Sequence, residues 1–139
     1  MPPVSPVVAY ALREFAADEQ VPLRVSGACM APLVKSGSVV TFVRRRWYWP
    51  GDPVVVHSPD GLLLVHRLLG TYRGRSGWRC VTQGDNAPSP DTALPWSSVV
   101  GRVGGGDCHA LITRVPLRHR LVACGRFLRH ALRAVIRRS

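Results

Sequence analysis

Between residues 23 and 103 the chain is written as short apolar runs broken by turn-forming clusters, and this pattern commits it to short antiparallel strands. Ser58-Pro59-Asp60-Gly61 predicts a tight turn between the runs at 54–56 and 62–69. Gly74-Arg75-Ser76-Gly77 predicts a second hairpin, leading into the run at 78–82. Residues 87–95 read as a proline-containing loop, 99–103 as a last strand, and Gly104-Gly105-Gly106 as a flexible joint. Ahead of the strands, Ser5-Pro6 reads as an N-cap followed by proline at the first helical position. Val7, Val8, Ala11, Leu12 and Phe15 then form a helical stripe that ends near Glu19. The expected architecture is mainly β, a folded-over barrel or sheet assembly with an N-terminal helix and a basic C-terminal helix. Residues 1–106 form the β-domain with its helix, and 107–139 form a helical extension. An apolar share of 46% and a charged share of 19% suit a globular chain of this length.

The chemistry centres on Gly27-Ala28-Cys29-Met30-Ala31-Pro32 read together with Val65-His66-Arg67. A turn of small residues presents Cys29, and His66 follows the first hairpin. A thiol and an imidazole make a nucleophile–base pair if the fold brings them together. Each alone has a plainer reading, as a small buried hydrophobe or a satisfied polar group. The other three cysteines, Cys80, Cys108 and Cys124, form no Cys-x-x-Cys pair, and Cys108-His109 lacks a second spaced pair. All four are therefore expected as reduced thiols, with Cys80 and Cys124 as packing residues and no metal or cofactor.

The surrounding residues carry a resemblance. The stretch from Leu23 through Pro32 resembles the nucleophile box of the signal peptidase and LexA-like self-cleaving repressor superfamily, with cysteine where that superfamily usually has serine. Gly37-Ser38-Val39-Val40 and Pro50-Gly51-Asp52-Pro53-Val54 are similar to its two Gly-Asp boxes, Ser38 replacing the first aspartate. Val65-His66-Arg67 resembles the His-Arg box, Thr82-Gln83-Gly84-Asp85-Asn86 the Thr-Lys-Gly-Asp-Asn box, and Val99-Val100-Gly101-Arg102-Val103 the closing strand of its Ser–His branch. The boxes run in order over residues 22–103. The resemblance implies the signal-peptidase/LexA-like β-fold, with Cys29 as nucleophile, His66 as base and acid, and Asp91 as the residue that orients His66. Asp85 competes for that last role, although its Gly-Asp-Asn setting reads as a structural turn. The only lysine, Lys35, does not occupy the base position of the Ser–Lys enzymes. Gly27 stands where signal peptidases often carry a hydroxyl, which leaves the Cys29 N–H as the main oxyanion donor.

On this reading the chain is an endopeptidase that cuts a leader, signal or propeptide after a small residue. The peptide lies as an added strand against Gly27, Ala28, Met30 and Leu64. The alternative is an inactive peptidase fold that holds a peptide or docks at a membrane. No apolar run approaches the roughly 18 residues that span a bilayer, and no signal peptide is legible, so the expected location is the cytoplasm or the inner face of the membrane.

Charge adds a second theme. The net charge is +11, and after Asp107 there is no acidic residue. Leu117, Leu121, Cys124, Leu128, Leu132 and Val135 fall on one face of a predicted helix, with Arg126, Arg129, Arg133 and Arg137 on another and Arg138 closing the tail. Such a helix suits an anionic membrane surface or an acidic partner, or else docks on the β-domain with its arginines solvated. Arg44-Arg45-Arg46-Trp47-Tyr48-Trp49 suits a bilayer interface, stacking on single-stranded nucleic acid, or an edge loop whose aromatics cover the barrel end. The membrane contact is therefore expected at Trp47, Trp49, Arg126, Arg129 and Arg133. Nucleic acid is disfavoured as a partner because no recognised binding module accompanies the charge. The sequence carries no signal for an oligomeric state.

Overall fold

The computed structural model describes residues 3–138, the side chain of Arg138 excepted. Arg138 as a tail charge and the outermost ends of the segments 1–106 and 107–139 thus lie outside the described residues. The chain runs α1 (Pro6–Phe15), β1 (Val21–Arg24), β2 (Val39–Val43), β3 (Pro53–His57), β4 (Leu63–Gly74), β5 (Gly77–Gln83), β6 (Leu94–Pro95), a single 3-10 turn at Trp96–Ser98, β7 (Val99–Gly106), α2 (Ala110–Thr113) and α3 (Leu117–Arg138). The seven strands form one sheet in the order β1-β2-β7-β3-β4-β5-β6, with every pairing antiparallel. Register shifts at Thr41/Phe42, Val55/Val56 and Leu68/Gly70 curl the sheet, as bulges do. β1 and β6 remain its two edges.

Both predicted hairpins form, at β3–β4 and β4–β5. The Ser58-Pro59-Asp60-Gly61 turn closes with Gly61 N–H donating to Ser58 O, and Gly61 adopts φ 84°. Two local readings are corrected. Gly104-Gly105-Gly106 is not a joint but the end of β7, where Thr41 pairs with Gly105 and Val40 with Gly106. Side chains are dispensable there because the ladder needs only main-chain groups. α1 is capped by Ser5 Oγ, which accepts from Val8 N–H at 3.2 Å, but it stops at Phe15, with a turn over the next four residues. Its buried side is Ala9 with Leu12 and Ala16, whereas Val7, Val8 and Phe15 are exposed. Small residues let the helix approach the sheet closely, which a count of large apolar residues does not anticipate.

One face of the sheet holds the main core, built on Phe42, Val55, Val65, Val100 and Val103, with Met30, Val34 and α2's Ile112 inserted from connecting segments. Ile112 is fully buried, so the 107–139 segment contributes to this core. A second cluster gathers Val54, Val56, Leu68 and Val99 under Tyr48, with Trp96 beside it. A third joins Leu69 and Val81 to α3 through Ala123 and Phe127. Gly70 makes that docking feasible: a Cβ there would lie 2.6 Å from Phe127 Cγ. Arg120 fastens the same helix, donating to Asp52 Oδ1 and Pro50 O at 3.0 Å each, and Asp52 also meets Arg102 at 3.1 Å. The helix thus rests on Arg120, Ala123 and Phe127, not on the leucine stripe. Leu117, Leu121, Leu128, Leu132 and Val135 are 61–70% exposed. Among the described residues, no helix is long and apolar enough to cross a membrane.

A candidate Cys–His–Asp site

Cys29 sits in the segment between β1 and β2, and the loop after β5 holds that segment in place. Asn86 N–H donates to Cys29 O at 2.9 Å, and Asn86 Nδ2 donates to both Ala28 O and Ala31 O at 2.7 Å. A single asparagine therefore fixes the carbonyls on either side of the cysteine. His66 projects from the first half of β4, paired with Val54 of β3 and one residue before the β5 ladder begins at Arg67, so the backbone there is held by the sheet. Gly84, the first residue after β5, closes the gap. A Cβ at Gly84 would lie 3.0 Å from Cys29 Cβ and 3.5 Å from His66 Nε2.

The His66 ring is anchored at Nδ1, 2.5 Å from Asp91 Oδ2, and its Nε2 side faces Cys29 across the space that a Gly84 Cβ would fill. Asp91 is itself positioned twice: Thr82 Oγ1 donates to its Oδ2 at 2.9 Å, and its N–H donates to Thr82 O at 2.8 Å. Cys29 Sγ also approaches Val65 O at 3.9 Å. His66 is only 7% exposed. Burial disfavours its charged form, but the hydrogen bonds and charges of Asp91 and Cys29 outweigh burial and raise its pKa to about 9. Asp91 follows the complementary rule. Burial would raise its pKa, yet His66 and Thr82 hold it below the ordinary carboxylate value. A buried imidazole flanked by a carboxylate and a thiol can accept the thiol proton and later return it to a leaving group.

Asp85, the other candidate orienter, faces elsewhere. Its two oxygens accept from Arg67 Nε and a terminal Arg67 nitrogen at 2.8 and 2.9 Å, and Arg67 also donates to Gly51 O at 2.8 Å. Asp85 thus neutralises a buried arginine, as its turn-like setting suggests. Of the expected substrate residues, Gly27 and Ala28 are exposed beside Cys29, and Leu64 is half-buried against the Tyr48 cluster. Met30 does not line a groove. It is 1% exposed within the core, and its sulfur accepts the Asp85 N–H at 3.4 Å. Its apolar bulk is what draws it inward.

Sequence reasoning overlooked Thr82, Gly84 and Asn86 as individual contributors, although all three belong to the Thr82–Asn86 box. Their signal was position in that box, not side-chain chemistry. Cys108 and His109 do not act together: Cys108 Sγ donates to Gly105 O at 3.7 Å, while the His109 ring caps α2 at Leu111 N–H.

Neither a protein-family model nor a curated protein matches this chain.

The expected membrane residues lie in two places. Trp47 stacks on Trp96 at 4.9 Å and meets Trp78 and Trp49 edge-on at 5.7 and 6.4 Å, so all four tryptophans of the chain form one cluster. Arg73 lies 6.0 Å from the Trp78 ring centre. Arg126, Arg129 and Arg133 stand instead on α3, along a cavity bordered by the loop that carries Asp91.

Proposed function

We propose that the chain is a thiol endopeptidase of signal-peptidase-like type, and that it cleaves a leader, signal or propeptide after a small residue. The observation that carries this reading is His66 held between Cys29 and Asp91. His66, whose pKa of about 9 keeps it protonated at neutral pH, already holds the proton given up by Cys29 when Sγ adds to the scissile carbonyl carbon. The carbonyl oxygen becomes an oxyanion beside the Cys29 main-chain N–H. The tetrahedral adduct collapses, the C–N bond breaks, and His66 gives the proton to the departing amine. Water, activated by the neutral ring, then hydrolyses the thioester and restores the thiol. Asp91 keeps the ring in the tautomer and orientation these steps need.

The substrate lies extended as an added strand on β1, an edge of the sheet, and runs past Gly27 and Ala28. With glycine and alanine lining the approach, a short side chain before the cut is the natural fit. The ordered motifs over residues 22–103 and the curled antiparallel sheet together favour the signal-peptidase/LexA-like fold for this work. The tryptophan cluster, with Arg45 and Arg46 beside it in sequence, is the surface we assign to a peripheral membrane contact.

The direct test is selective alkylation at neutral pH, read by peptide mass spectrometry. Cys29 should react much faster than Cys80, whose burial raises its pKa to about 11. His66→Ala should remove that advantage. Equal rates for Cys29 in wild type and His66→Ala would refute the pairing.

A further inference from the structure

The arginine face of α3 does not simply look into solvent. Arg126, Arg129, His130 and Arg133 form one wall of a cavity of about 220 Å³, and Gln83, Pro88 and Pro90 form the other. The second wall belongs to the site. Gln83 immediately precedes Gly84, the close neighbour of Cys29 and His66, and Pro90 immediately precedes Asp91.

Two features of the cavity are incomplete. Among the described residues no carboxylate pairs with Arg126, Arg129 or Arg133. Gln83 is 5% exposed; its Nε2 donates to Ala87 O at 2.8 Å, but its Oε1 has no hydrogen-bond partner. Gln83 Oε1 is itself sealed from solvent, so the ligand's chemistry is set by the three guanidinium groups, which call for carboxylates. The cavity adjoins the loop that carries Asp91, where an extended peptide passing Cys29 can bring aspartate or glutamate side chains.

We propose that this cavity binds an acidic segment of the peptide substrate, and so selects substrates carrying Asp or Glu at a distance from the cut. The proposal rests on the peptidase reading for the word substrate, but the binding itself does not require turnover. It assigns Arg126, Arg129 and Arg133 to peptide recognition, leaving the bilayer to the tryptophan cluster. Binding remote from the scissile bond is a common means of positioning it.

The test uses the full chain carrying Cys29→Ala, so that nothing is cleaved. Fluorescence anisotropy measures its affinity for a labelled glutamate-rich peptide, and for the same peptide with glutamine throughout. The acidic peptide should bind more tightly, with an affinity that falls as salt rises. Arg126→Glu, Arg129→Glu and Arg133→Glu together should weaken it by on the order of tenfold or more. The same charge change at Arg45, Arg46 and Arg75, which lie outside the cavity, should cost much less. The triple Arg→Gln variant gives the same answer with less risk to the fold. Equal loss in both charge-reversed proteins would reduce the effect to net charge and overturn the site. So would binding of anionic vesicles, but not of the acidic peptide, that depends on the three arginines. If wild type cleaves nothing yet the acidic peptide still binds in this way, the peptidase reading falls and the cavity stands.

Discussion

Gly84→Ala tests the geometry of the site without removing any reactive group. The added methyl would lie 3.0 Å from both Cys29 Cβ and Cys29 O, and 3.5 Å from His66 Nε2. Carbon contacts are comfortable from about 3.5 Å, so Cys29 must retreat by roughly half an ångström. The cost in stability should be modest, about 1 kcal/mol, because overpacking is relieved by the exposed turn at Gly27 and Ala28 and not by the sheet. The cost in rate should be larger. A misplacement of about 1 Å commonly costs about 100-fold, so half that displacement predicts roughly a tenfold loss in kcat/KM. Gly104→Ala is the control, since a Cβ there meets nothing within 4 Å. The assay compares Cys29 alkylation, peptide cleavage and thermal melting for both variants. Gly84→Ala should melt a few degrees lower yet remain folded at 25 °C. A folded Gly84→Ala protein that alkylates and cleaves as fast as Gly104→Ala would refute the close Cys29–His66 approach.

Two other outcomes follow from the ion pairs. Asp91→Asn should lower turnover, by less than His66→Ala does, with little change in melting; Asp85→Asn should cost on the order of 2 kcal/mol of stability by stranding buried Arg67, and leave the alkylation rate of the folded protein near wild type. The reverse pattern, measured by thermal melting and alkylation, would exchange the two aspartates' roles. His66 has a folded pKa of about 9, above the usual 6.5, so its pairing contributes stability fully below about pH 6.5 and loses it as pH rises through about 9. Denaturant unfolding of wild type between pH 6 and 9.5 should show that decline and His66→Ala should lack it; parallel curves would mean that the histidine is not held by Asp91 and Cys29.

Much of this architecture is legible in the sequence, and the reasons differ by element. The β3–β4 and β4–β5 hairpins are announced by turn residues whose backbone preferences are local, and Ser5-Pro6 announces α1 in the same way. Cys29, His66 and Asp91 are legible only as candidates, because their meeting depends on the curl of the sheet. What misled was apolar bulk and apparent flexibility. Met30 is drawn into the core, the glycine run at 104–106 is a ladder strand, and α1 buries alanines instead of valines. α3 was ambiguous for a related reason. Its docking uses Ala123, Phe127 and a buried-end contact from Arg120, while its leucine stripe stays exposed, and amphipathic periodicity reports only the stripe.

The central claim is that Cys29 cleaves peptide bonds with His66 as its proton carrier. It is tested most directly by incubating wild type and Cys29→Ala with a mixed-sequence peptide library and reading new termini by mass spectrometry. The account predicts products ending in alanine or glycine with wild type, and none above background with Cys29→Ala. The same products at the same rate from both proteins would contradict it.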